Sequence, residues 1–213
     1  MPIETGTHKI GPSNGSLKVK TGKEGAAAKM GHDLVIGVNS WEATVEGGDS
    51  PSITLTADPG SLEVIEGSGG AKPLSDKDKG DIKKSITGKV LGSSQITFTS
   101  SSVEVIEGSG GAKPLSDKDK ADIKKSITGK VLGSSQITFT SSSVDDGSAK
   151  GDLSIAGKSS SVSVPLQVGG GKISGSLTLS QKDFGIKQFS AMMGALKVKD
   201  QVTVEFEGQV PTS

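Results

Sequence analysis

The chain contains no Cys, no Tyr and no Arg, so all 24 of its basic residues are Lys. Without Cys it has no disulfide framework, no thiolate nucleophile and no Cys-type zinc site. The 24 Lys residues are balanced by 24 acidic residues, and aromatic residues make up only 3% of the chain. Because nucleic-acid binding depends on clustered positive charge and on exposed aromatic rings, this composition argues against a nucleic-acid partner.

Long apolar stretches are also missing from the chain. No run approaches the roughly 20 residues that a membrane span needs, and the start, Met1-Pro2-Ile3-Glu4, lacks the basic and apolar regions of a secretory signal. We therefore expect no membrane span and a cytoplasmic location. A length of 213 residues fits a single domain over residues 1–213.

One segment of 41 residues occurs twice in tandem, at residues 63–103 and 104–144, and the two copies differ only at Gly80 and Ala121. Solenoid repeats diverge, number three or more and fill the chain. Two near-identical copies between unrelated flanks instead favour a recent or deliberate duplication. We interpret the chain as an engineered duplication variant.

The rest of the chain alternates between apolar and polar residues, as in Leu34, Ile36 and Val38. Alternation with a period of two is typical of strands with one wet face. Turn signals rich in Gly, Asp and Pro separate these segments. Many short strands at this spacing predict a mainly β fold, a barrel or a sandwich.

One helix interrupts the predicted strands, and the repeat copies it. Ser75 is a good N-cap, the acidic residues Asp76 and Asp78 follow it, and Gly88 offers a left-handed stop. Residues 116–129 repeat this pattern. Because Gly is less favourable than Ala inside a helix by about 1 kcal/mol, the second copy is predicted to form the better helix.

Four segments together resemble the YceI-like family, whose best-known members bind polyisoprenoids or other lipids in an antiparallel barrel. They occur in the family's order and begin Gly31-His32-Asp33-Leu34, Gln95-Ile96-Thr97-Phe98, Lys150-Gly151-Asp152-Leu153 and Leu177-Thr178-Leu179-Ser180. The resemblance implies one YceI-like domain: a lipocalin-like antiparallel β-barrel of about eight strands with one α-helix, here carrying a duplicated helix-strand segment. A barrel of that size leaves room for one slender ligand.

Catalytic or metal-binding constellations are not evident in the sequence. The chain has two His residues, His8 and His32, and neither has a second His nearby; a structural, hydrogen-bonded role for His32 is the simplest interpretation. No G-x-S-x-G motif occurs, and the Gly-rich segment at 67–70 lacks the G-K-[ST] of a phosphate loop. We therefore expect no enzyme, no cofactor and no metal site.

The predicted function is the non-catalytic binding of an apolar small molecule or lipid inside the barrel. An alternative is a solidly packed structural or interaction domain, and another is a hydrolase or isomerase that uses His32. The candidate lumen residues are large apolar side chains: Leu34, Ile36, Trp41, Ile53, Leu55, Phe98, Phe139, Phe184, Phe189, Met192 and Met193. Met192 and Met193 are the most suggestive of these candidates because Met adapts to irregular apolar ligands.

The repeat also raises a topological problem. Copying a helix and a strand adds one change of chain direction, and an inserted ninth strand would then need a parallel pairing. We expect one copy to dock and the other to be excluded, with exits at residues 67–74, 88–94 or just after Val103; Ala121 favours the first exit and the second helix. A spare β-prone segment predicts either a monomer or a segment-swapped or strand-added dimer.

Overall fold

The structure, a computed structural model, describes residues 3–87, 91, 136–145 and 147–210. These residues form twelve strands and one α-helix. In chain order the elements are β1 Gly6–Ile10, β2 Gly15–Glu24, β3 Asp33–Val38, β4 Trp41–Gly47, β5 Ser52–Ala57, β6 Leu62–Ser68, α1 Asp76–Ser85, β7 Ile137–Asp145, β8 Ser148–Ile155, β9 Lys158–Gly169, β10 Lys172–Ser180, β11 Ser190–Ala191 and β12 Leu196–Gln209.

All twelve strands belong to one antiparallel sheet that curves into a half-barrel. Eleven of them pair in the order β1-β4-β5-β7-β8-β9-β10-β12-β2-β3-β6, and the two-residue β11 pairs with β12. The mainly β, antiparallel fold is confirmed, but the expected count of about eight strands is too low. The extra strands include β1 and β2, where Gly, Lys and Thr interrupt the apolar pattern.

Strand β9 joins the two halves of the sheet because it changes partner along its length. Residues 158–165 pair with β8, and residues 166–169 pair with β10. The β9–β10 hairpin then turns through Gly170 and Gly171, whose φ values are +61° and +75°. Two consecutive positive φ angles define the tight turn that matches the twist of paired strands, and Gly adopts them without strain.

The helix begins where the sequence predicts it. The Ser75 side chain accepts a hydrogen bond from the Asp78 backbone N–H, and Asp78 Oδ2 accepts one from the Ser75 backbone N–H at 2.9 Å. This reciprocal capping box satisfies two backbone donors at the start of α1. The Ser75 hydroxyl and the Ser75 backbone N–H both donate hydrogen bonds to the Asp78 carboxylate. These two bonds lower the pKa of the Asp78 carboxyl below its ordinary value.

The two repeat copies each contribute a different part of the described fold. The helix next to β6 is that of the first copy, α1, whereas the strand between β5 and β8 is that of the second copy, β7. Apart from Leu91, the residues between 88 and 135 lie outside the described ranges, so the three expected exits stay predictions. Helix α1 of the first copy contacts β6. The helix of the second copy, which we prefer on the basis of Ala121, lies outside the described residues, so that preference stays a prediction.

Candidate functional site: an apolar cavity with one polar end

The curved sheet and α1 line a partly open cavity of about 830 Å³. Ligand pockets in proteins commonly occupy about 300–1,000 Å³ and are lined mainly by apolar side chains with a few polar groups. Both descriptions fit this cavity. Its lining comes from both halves of the sheet and from α1.

The strand register shows how β10, β12, β2 and β3 build one wall. Side chains that pair across these strands form successive rows, and all of them line the cavity. Moving along the strands, the rows are Leu177, Val204, Val19 and Ile36, and then Leu179, Val202, Thr21 and Leu34. Because alternate residues of a strand face one side, these rows form a surface that is apolar except for Thr21.

The other half of the sheet contributes an equivalent apolar row. Ala43 pairs with Leu55, Leu55 with Phe139, and Phe139 with Leu153, and all four side chains line the cavity. Phe139 is buried and lies in the strand supplied by the second copy. The repeat therefore contributes an aromatic side chain to the cavity wall.

One end of the barrel, which we call the base, is closed by packed side chains. Trp41 and Phe206 meet edge to face, with ring centroids 5.8 Å apart and an angle of 80° between the ring planes. Ile10 is buried against Gly15 and Gly208, where the absence of side chains lets the strands approach it. Edge-to-face aromatic contacts and close packing of this kind exclude water from the base.

The opposite end, which we call the polar end, consists of Lys23, His32 and Gln181. Lys23 lies two residues beyond Thr21 on β2, and His32 lies two residues before Leu34 on β3, so both continue the inward-facing rows. Along β2 the distance from Leu17 near the base to Lys23 spans six residues, or about 20 Å. The cavity thus changes from apolar to polar along its length.

Lys23 and His32 are both held by neighbouring protein groups. Lys23 Nζ lies 3.2 Å from Asp33 Oδ2 and also donates a hydrogen bond to the Ser68 carbonyl at 3.2 Å; its side chain is 20% exposed. His32 Nε2 donates to the Lys72 carbonyl at 2.8 Å. This contact gives His32 the structural, hydrogen-bonded role expected from the sequence.

Gln181 differs from the other two residues because it is 8% exposed and only partly paired. Its Nε2 donates to the Lys199 carbonyl at 2.9 Å. A carbonyl accepts hydrogen bonds only, so this contact fixes which end of the side-chain amide is the nitrogen. Within the described part of the chain, no group donates a hydrogen bond to Gln181 Oε1.

Helix α1 and its flanks border the cavity on the remaining side. Leu74, Ile82 and Ile86 contribute apolar side chains, and Asp78 and Asp81 contribute carboxylates. Leu74 packs against Gly67, which has no Cβ to block it. The apolar residues of an otherwise polar helix therefore face the cavity.

Six of the eleven candidate lumen residues line the cavity. They are Leu34, Ile36, Ile53, Leu55, Phe139 and Phe189. Phe98 lies outside the described residues. Five of the six lie on β3, β5 and β7, where the alternation was regular enough to predict which face points inwards.

The structure places the other four candidates elsewhere. Trp41 is buried in the base, and Phe184 is buried in the 3₁₀ turn Gln181–Phe184; neither belongs to the cavity lining. Met192 and Met193 are exposed, in a turn where both have positive φ angles, 51° and 54°. This left-handed turn directs the Met pair away from the sheet, which the sequence pattern did not indicate.

Several polar residues of the lining were not among the candidates, including Thr21, Lys23 and Gln181. A signal for them exists in the sequence, since Thr21 and Lys23 are in phase with Leu17 and Val19 on β2. Gln181 is likewise in phase with Leu177 and Leu179. Searching for apolar residues alone misses polar residues that continue an inward-facing series.

Two further structural features bear on the class of protein. Across the described ranges, no helix is long and apolar enough to cross a membrane. In the same part of the chain, no three His, Asp or Glu side chains gather as ligands for a metal ion.

The curved antiparallel sheet defines a barrel-like fold, and comparison with known proteins identifies its family. The model of the YceI-like domain matches residues 27–210, so the chain belongs to that family. Among solved structures it is similar to BcnA from Burkholderia cenocepacia, with 16% identity, a TM-score of 0.53, and coverage of 95% of this chain and 99% of that one. At this identity the likeness shows the fold. No curated protein matches the chain.

Proposed function

We propose that the protein binds a single lipid- or isoprenoid-like molecule in its cavity and that it acts without catalysis. The observation that carries this proposal is the apolar cavity of about 830 Å³. A solidly packed domain of ordinary density would leave no space of this size. The cavity therefore favours a ligand-binding protein over the packed structural domain.

The absence of a reactive constellation in the described lining supports binding without turnover. Lys23 is paired with Asp33, and His32 Nε2 is held by a backbone carbonyl. Neither residue contacts a Ser or Thr side chain as a general base would contact a nucleophile. An apolar cavity with paired charges at one end suits the retention of a lipid.

Native mass spectrometry of the purified protein, preincubated with hexadecan-1-ol, tests this proposal. We expect an added mass that disappears when the protein is denatured. Leu177→Trp places a larger side chain in the cavity and is expected to reduce the bound fraction about tenfold, because overpacking an apolar site carries a free-energy cost. Ser176→Trp is the matched control, since Ser176 is the exposed neighbour on the same strand.

The outcomes separate lipid binding from the packed alternative. An apo mass for the wild type under these conditions would contradict the proposal. Equal loss of lipid in both Trp variants would also contradict it, because Leu177 lines the cavity and Ser176 does not.

The proposal extends to the origin of the repeat and to the cellular location of the protein. We take the second copy to be an engineered duplication, and we take the protein to act in the cytoplasm. The strand sequence of each copy is the same, from Gln95 to Val103 and from Gln136 to Val144. A second copy of the strand sequence is compatible with either a monomer or a dimer joined by exchanged or added strands, and the same mass spectrum distinguishes the two.

A further inference from the structure

We propose that Gln181 selects the head group of the bound lipid, and that this head group is neutral and both donates and accepts a hydrogen bond, as a hydroxyl or a primary amide does. This inference rests on the proposed function and assigns the orientation of the ligand: the apolar chain lies towards the base, and the head lies at the polar end.

The first step is the position of Gln181 in the cavity. It follows Leu177 and Leu179 on the same face of the chain, and all three side chains line the cavity. The row that contains Leu179 is apolar except for Thr21. Beyond it Val198 pairs with Lys23, and His32, just before β3, also lines the cavity. Gln181 therefore lies where an apolar chain ends and a head group begins.

The second step concerns the hydrogen bonds that Gln181 still lacks. An amide has one acceptor oxygen and two N–H donors. One donor is used by the Lys199 carbonyl, whereas the oxygen receives no donor from any described residue. Gln181 thus has a free acceptor and a second N–H, and both are complemented by a group that donates and accepts.

The third step is the charge at the polar end. The cation in this row, Lys23, is already paired with Asp33. Lys72 and Lys197 also line the cavity, but both are exposed to solvent. Among the described residues a carboxylate head would therefore find no buried, unpaired cation, and it would leave Gln181 Oε1 without a donor. An ester is neutral but has acceptors only, so it leaves Oε1 unpaired as well.

The position of Lys199 explains why Gln181 is held in place. The pairing of β12 with β2 is interrupted between Val198 and Val202, so Lys199 lies in a bulge. The bulge exposes the Lys199 carbonyl, which takes the Gln181 Nε2 donor instead of a strand donor. Bulges commonly redirect backbone groups and side chains at functional sites, and this one orients the amide.

A competition experiment on the full chain tests the inference. The protein is incubated with equimolar hexadecan-1-ol, methyl hexadecanoate and hexadecanoate, then separated from free lipid, and the bound lipids are extracted and quantified by gas chromatography. We expect the alcohol to be enriched about tenfold over the ester, the factor that corresponds to leaving a buried acceptor unpaired. Hexadecanoate is expected to be enriched no more than the ester.

Gln181→Met keeps the length of the side chain and removes both polar groups, so the enrichment is expected to fall towards one while the total bound lipid is retained. Gln188→Met is the matched control. Gln188 also carries an amide near this end, paired with Glu24 and with the Val198 carbonyl, but it lies outside the cavity lining. The control is expected to keep the preference for the alcohol.

The outcomes distinguish this inference from the proposed function. If the wild type retains none of the three lipids, the proposed function fails. If it retains them without preferring the alcohol, or if Gln181→Met keeps the full preference, lipid binding stands and the role of Gln181 is refuted. The wild-type preference alone decides the head-group class should Gln181→Met fail to fold.

Discussion

Gly80 lies in the middle of α1, where replacement by Ala tests which copy of the repeat forms the docked helix. It is exposed, and a Cβ added to it would meet no atom within 4 Å. Gly inside a helix is less favourable than Ala by about 1 kcal/mol because Gly loses more backbone freedom on folding. We therefore expect Gly80→Ala to raise the free energy of unfolding by up to about 1 kcal/mol, or the melting temperature by about 2–4 °C for a chain of this length.

The repeat supplies its own control in Ala121, the equivalent residue of the second copy. If α1 is the docked helix, Ala121→Gly is expected to leave the melting temperature almost unchanged. Thermal unfolding followed by circular dichroism, with urea unfolding on the same variants, measures both effects. A loss of stability in Ala121→Gly together with no gain in Gly80→Ala would refute the placement of the first helix and restore the preference based on helix propensity.

Three further predictions concern local structure. Ser75→Ala removes the N-cap of α1 and is expected to lower stability by about 1 kcal/mol, with Ser116→Ala as a silent control; an equal effect in both would contradict the assignment. The folded-state pKa of the Asp78 carboxyl is lowered, so its contribution to the stability of α1 is complete above the ordinary pKa near 4 and is lost as the pH falls through the lowered pKa. Asp78→Ala is therefore expected to reduce the loss of helix content, followed by circular dichroism, that acidification causes. Ala156 has a φ of +51° in the turn before Gly157, so Ala156→Asn is expected to raise the unfolding free energy by about 1 kcal/mol; a decrease in urea midpoint would refute this.

The inward face of several strands was predictable from the sequence because their alternation is strict. Leu34, Ile36 and Val38 are all buried on β3, as their spacing indicates. The same reasoning places Leu55 and Phe139 towards the cavity, and their pairing in one row brings them together. Burial of one face fixes the register of a strand, since a shift of one residue would expose every apolar side chain.

The polar end was not predictable to the same degree because its residues are defined by pairing across distant strands. Lys23 and Gln181 are separated by more than 150 residues in sequence, and only the order β10-β12-β2 brings their strands close. Strand order is a long-range property, which residue periodicity does not contain. The polarity of the two residues also made them resemble ordinary solvent-exposed positions.

The Met pair shows the opposite difficulty, in which a chemically suggestive residue lies outside the site. Met192 and Met193 have the flexible side chains that suit a ligand cavity, yet both lie in a left-handed turn and are exposed. Backbone conformation of this kind is rare for residues other than Gly, Asn and Asp. Composition alone therefore predicts the wrong direction for both side chains.

The chemistry of the cavity does not depend on which copy of the strand is docked. Phe139 completes the row with Leu55 and Leu153, and the equivalent residue of the other copy, Phe98, has the same side chain. Lys23 and Gln181, which define the polar end, lie outside the repeated segment. Because the apolar wall is the same with either copy and the polar end belongs to neither, the repeat alters the connections of the fold and leaves the proposed selection of ligand to residues that occur once.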